Sequence, residues 1–167
     1  MSNHYNLTEE ESGYYFTSDS GNKYLITFFK NPLIDQEGNI HSAYSINIAR
    51  NDDFSHQAFQ FGYDKKIKNT IIEIINAFFI KNDENALIYF CFNEDNFGRS
   101  RSILFGSWAR EVGYLDCYRR AFSYSGSIVY AALVVLKGNI LKGLIVDAFN
   151  RSIDEFANPD KDNELSA

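Results

Sequence analysis

Arginine is the residue type whose placement in this chain could do chemistry. Five of the seven arginines, Arg99, Arg101, Arg110, Arg119 and Arg120, fall within a window of 22 residues. A planar guanidinium fork suits bidentate recognition of phosphate or carboxylate. Arg99 and Arg101 open a predicted helix, whose N-terminal dipole adds positive potential. Arg119 and Arg120 open the next predicted strand. If helix and strand are neighbours, Arg99, Arg101, Arg119 and Arg120 converge on one anion or nucleic-acid site. Tyr114, Tyr118 and Tyr124 are then at hand to stack on bases. The competing reading is structural. Arg101 falls on the inner face of its helix, where an aspartate such as Asp95 or Asp116 would pair with it. Glu94, Asp95, Glu111 and Asp116 nearly balance the arginines of the window. A nucleic-acid surface belongs to a net basic domain, and this chain carries a net charge of −6.

Other chemistry is less well served. His4, His41 and His56 sit in a polar lead and two predicted loops, with no HxxH or HExxH spacing and no cysteine nearby. Solvated histidines are the expectation, and no metal site. No GxxxxGK[ST], GxGxxG or GxSxG motif occurs, and Ser125-Gly126-Ser127 reads as a hairpin turn. Cys91 lies inside an apolar strand, where a thiol is inert packing. Cys117 has Arg119 on its own strand face and Arg120 on the other, so Arg119 alone could lower its pKa. The carboxylate pairs Asp52-Asp53 and Glu94-Asp95 are adjacent, which points their side chains apart, whereas acid–base work needs convergent groups. Both read as solvated turn residues. No catalytic residue and no cofactor is expected.

The elements that must position these residues follow from composition and periodicity. Hydrophobic residues make up 45% of the 167 positions, charged residues 23% and aromatic residues 16%. Aromatic and β-branched residues favour strands and thick packed layers. Glu9 to Glu11 and the run Asp160, Lys161, Asp162, Glu164 hold five of the six net negative charges, so the body between is close to neutral. The longest apolar run, Ile128 to Leu136, is too short to span a bilayer as a helix and reads as a central strand. With no secretion-like leader and no CxxC pair, a cytoplasmic setting without membrane contact is expected.

Tyr14–Thr17 and Tyr24–Phe29 read as a hairpin across Ser18–Asn22, and Tyr44–Ile48 as a third strand with one wet face. Asp64 stands at an N-cap position. Behind it Ile67, Ile71, Ile74, Ile75, Phe78 and Phe79 recur at helical spacing and predict a helix over 65–81 despite their β propensity. Ala86–Phe92 reads as a central strand. A second helix begins near Asn96 and ends at Gly113, with Gly98 and Gly106 weakening it. A second hairpin, 116–123 with 127–136, and a helix over 140–157 complete the chain. The expectation is an α+β fold, a mostly antiparallel sheet of about six strands with three helices packed on it, in the order βββ-α-β-α-ββ-α. Residues 1–12 read as a flexible lead, 13–157 as a single domain and 158–167 as a flexible tail.

Three stretches together, Tyr15-Phe16-Thr17-Ser18-Asp19-Ser20-Gly21-x-x-Tyr24, Asp64-x-x-Ile67-x-x-Thr70-Ile71 with Phe78-Phe79, and Arg99-x-Arg101-x-x-x-Phe105-x-x-Trp108, resemble a small bacterial family with a domain of unknown function. The resemblance is clear over the first two-thirds of the chain. It implies a bacterial cytosolic origin and brings no activity with it. With no catalytic constellation and an aromatic sheet, the expected function is a non-catalytic interaction module that binds another protein or a second copy of itself. Strand 44–48 carries no lysine, and open edges invite pairing. The alternative is RNA or nucleotide binding through the arginines.

Overall fold

The computed structural model describes residues 2–51 and 64–158. Strands β1 (Thr8–Glu10), β2 (Gly13–Thr17) and β3 (Lys23–Lys30) form an antiparallel meander. A two-stranded hairpin, β4 (Leu33–Ile34) with β5 (Ile40–His41), precedes β6 (Ala43–Arg50). Helix α1 (Lys65–Lys81) then crosses to β7 (Ala86–Phe92), and α2 (Gly98–Val112), β8 (Leu115–Tyr124), β9 (Ser127–Leu136) and α3 (Lys142–Ala157) follow. The main sheet has seven strands in the order β1-β2-β3-β6-β7-β9-β8, and only the β6–β7 pair is parallel. Parallel strands need a crossover connection, and α1 supplies it for this pair.

Local chemistry explains most element boundaries. Asp64 caps α1 by accepting from the Lys66 and Ile67 amides, satisfying two donors that a helix start leaves open. Gly113 ends α2 in the left-handed region at φ 84°, a conformation glycine adopts without a Cβ penalty. Ser125 and Gly126 both have positive φ, the signature of a two-residue turn whose twist matches the strands it joins.

Alternation divides the packing into two layers. On one face Ile67, Ile71 and Ile74 of α1 meet Phe16, Tyr24 and Ile26, while Phe78 and Phe79 of α1 and Ala109 of α2 meet Leu87, Tyr89 and Val134. On the other face α3 sets Ile145, Phe149 and Ile153 against Ile88, Ala131 and Leu133. Burying one large aliphatic or aromatic side chain contributes about 1.5–3 kcal/mol, so each helix is held chiefly by its stripe.

Three expectations need correction. The sheet has seven strands plus a separate pair rather than six, because β1 and the short β4–β5 hairpin add to the six predicted strands. The lead 1–12 is not free: β1 pairs with β2, and Tyr5 is buried against Phe16 with its amide donating to Thr70 Oγ1. Polar composition hid one aromatic anchor. Strand 44–48 is no edge, for β6 lies between β3 and β7. The tail beyond Asn158 lies outside the described residues.

Candidate functional site

The four predicted site arginines do not meet. Arg101 is buried at the start of α2, where Nη1 and Nη2 donate to the two oxygens of Asp95 at 2.6 and 2.9 Å and Nη2 also donates to the Phe92 carbonyl at 2.6 Å. Both partners are 8% exposed. This fork ties the first turn of α2 to the end of β7. Gly98 belongs to the same junction: a Cβ there would stand 2.5 Å from the Phe92 oxygen. The glycine that weakens the helix in isolation is what lets it seat. Asp95, read from the sequence both as a turn residue and as a candidate partner of Arg101, is that partner, with its side chain 8% exposed.

Arg119 and Arg120 point to opposite faces of β8, as period two requires. Arg120 lies on the α3 face and donates to Asn150 Oδ1 at 3.0 Å and Asp154 Oδ1 at 2.7 Å. Arg119 lies on the α2 face, where a Cβ on Gly106 would come within 3.3 Å of its Cδ and 3.7 Å of Arg110 Nη1. Arg119 and Arg110, the latter not among the predicted four, thus both flank Gly106. Neither has an ion-pair partner among the described residues. Arg99 is exposed and sits on the same helical stripe as Ile103, Gly106 and Arg110. That stripe, legible by counting along the helix, was the signal for Arg110.

The strand carrying Arg119 is the outer edge of the sheet. Lys137 donates its amide to the Tyr114 carbonyl, so the even-numbered residues of β8 share their hydrogen bonds with β9. The amides and carbonyls of Leu115, Cys117, Arg119, Ala121 and Ser123 consequently point away from the sheet. Ten residues long and free of proline, β8 presents a template for another strand.

The nucleophile and metal readings find little support in the geometry. Cys91 is 2% exposed, and burial pushes its thiol up to about 12. Cys117 is half-buried; burial raises its thiol too, and the Tyr89 hydroxyl 3.8 Å away and the charges of Arg119 and Arg110 offset that only in part. Such a thiol is not an activated nucleophile. His41, expected in solvent, is buried in β5 with Nε2 2.9 Å from Asp35 Oδ2. Its hydrogen bond, with those from Asn39 and Glu37, holds the Asp35 carboxyl well below the usual carboxylate range against its burial. His4 lies 3.0 Å from Glu73 at the surface. His56 and Asp52-Asp53 lie outside the described residues. Among the described residues no group of three or more His, Cys, Asp and Glu side chains could hold a metal, and no helix is long and apolar enough to cross a membrane.

Residues 63–151, from the N-cap of α1 through most of α3, match the family model described as Family of unknown function (DUF6169). The chain belongs to that family. No curated protein and no solved structure matches it. The DUF6169 match takes in the Asp64–Phe79 and Arg99–Trp108 stretches and the whole β8 edge with both of its arginines, whereas the Tyr15–Tyr24 hairpin lies upstream of it. In DUF6169 terms, then, the matched unit is α1, α2 and α3 on the strands β7, β9 and β8.

Proposed function

We propose that this DUF6169 protein is a non-catalytic interaction module that takes an extended segment of another polypeptide onto the edge of β8. The observation that carries this reading is the ten-residue edge strand whose outward amides and carbonyls have no ladder partner among the described residues. Strand addition supplies main-chain hydrogen bonds for affinity, and alternate side chains supply selectivity. The flank favours an acidic partner, since Arg110 and Arg119 both lie beside Gly106 on the α2 side while Arg120 on the α3 side is matched by Asp154. A different protein and a second copy of the chain both satisfy the geometry.

Size-exclusion chromatography with light scattering, recording absorbance at 260 and 280 nm, tests the proposal, with Ala121→Pro as the control. The Ala121 amide faces away from β9, so proline removes an outward donor without touching the β8–β9 ladder. A nucleic-acid-free dimer or hetero-complex that Ala121→Pro disperses supports the reading. A monomer that captures no polypeptide, or an assembly indifferent to Ala121→Pro, overturns it. The rival reading, RNA or nucleotide binding, draws on the Arg110–Arg119 pair alone. It expects a peak with a high 260 nm signal that salt removes.

A further inference from the structure

The parallel ladder between β6 and β7 has three pairs and stops at Ser45 and Ile88. Beyond it β6 continues to Arg50 paired with β3 alone, and β7 continues to Phe92 paired with β9 alone. The two strands fork, and a cavity of about 560 Å³ occupies the fork. Its walls come from both sides of the sheet. Ile48 and Cys91 line it from the α1–α2 face, and Asn47 and Phe90 from the other. The hollow therefore passes through the plane of the sheet. Protein interiors leave few voids larger than a water molecule, and this one has the size of a small-molecule site.

The lining sets the chemistry of an occupant. Asn31 donates its amide to the Ala43 carbonyl, which assigns the odd-numbered residues of β6 to the β3 ladder. The amide and carbonyl of Ile48 consequently face the fork. The charged residue among the described lining residues, Arg101, is already committed to Asp95. An ionic ligand would lose its hydration without gaining a counterion from the described lining. Tyr89, Phe105 and Trp108 supply aromatic surface, and Tyr89 and Trp108 stand edge-on to Phe105 at ring-centre distances of 5.5 and 5.2 Å. We infer that the β6–β7 fork binds an uncharged aromatic molecule, stacked in the aromatic wall and hydrogen-bonded to the open peptide edge of Ile48.

Trp108 is the one tryptophan of the chain and lines the cavity, so its emission reports occupancy. The experiment titrates the purified full chain with neutral N-phenyl-1-naphthylamine and, separately, with its anionic relative 8-anilino-1-naphthalenesulfonate. The neutral dye should quench Trp108 by energy transfer at one dye per chain, and the sulfonate should bind about tenfold more weakly or worse. Ile48→Phe fills the fork and should weaken the neutral dye about tenfold with the melting temperature retained. Should Ile48→Phe not fold, wild-type protein gives a second readout: bound dye should slow hydrogen exchange of the Ile48 amide, read by NMR. Absence of transfer from Trp108, equal binding of the two dyes, or dye binding that neither Ile48→Phe nor Ile48 amide exchange senses would each overturn the inference.

Discussion

The sheet has two edges, and they are built differently. β1 is three residues long, every one exposed, and it carries Glu9 and Glu10; Glu9 is further held 3.0 Å from Lys81 of α1. A short, charged edge discourages another strand. β8 is ten residues long, lacks proline and lysine, and has arginines on both faces. Among the described residues one edge is thus closed and the other open, and the open one lies within the DUF6169 match while the closed one does not. Edge protection is available to this fold, and it was not applied where the proposed partner docks.

That contrast can be broken in several ways. The largest effect should come from the seat of α2, the helix that flanks β8. Asp95→Ala removes the carboxylate that pairs with the buried Arg101 and should cost about 3–5 kcal/mol, read in urea unfolding, with α2 losing hydrogen-exchange protection first. Next, Ala121→Pro should abolish assembly through β8, while a proline at Glu9 in β1 should leave the oligomeric state untouched; light scattering compares the two. A smaller effect is expected at the flank: Arg119→Glu should slow association with an acidic partner about tenfold at low salt, and the difference should shrink as salt rises, measured by surface-bound kinetics.

An acid titration probes a region away from both edges. The Asp35 carboxyl is depressed in the folded chain, so its contribution to stability is present above the ordinary carboxylate value of about 4 and is lost as pH falls below it. Melting temperatures of wild type should therefore drop between neutral and acid pH more steeply than those of Asp35→Asn. The least change belongs to the closed edge. Glu9 and Lys81 are about 60% exposed, and exposed pairs contribute little, so Glu9→Gln should leave the melting temperature unmoved.

Much of this arrangement was legible in the residues. Isoleucines at three- and four-residue spacing named α1 against their own strand propensity, and Asp64 marked its start. Arg101 on an inner helical face, six residues after Asp95, foretold a structural pair. The separation of Arg119 from Arg120 was legible too, because neighbours in a strand face opposite ways, and a four-arginine surface conflicts with that rule. Strand order was not legible. It depends on where the α1 crossover delivers β7 and on β9, rather than β8, pairing with β7, both of which are settled by long-range packing. Tyr5 escaped because one buried ring in a polar segment leaves no periodic trace. The fork escaped because nothing in the residues of β6 or β7 says where their ladder stops.

Two plates of sheet, β1-β2-β3-β6 and β7-β9-β8, are joined by the three rungs between β6 and β7. The β8–β9 ladder alone has ten. Under load this junction is the compliant element, with α1 acting as a brace across it, since α1 packs on Tyr24 and Ile26 of the first plate and on Leu87 of the second. Rotation of one plate against the other would change the width of the fork while leaving the long ladders, and the open edge of β8, intact.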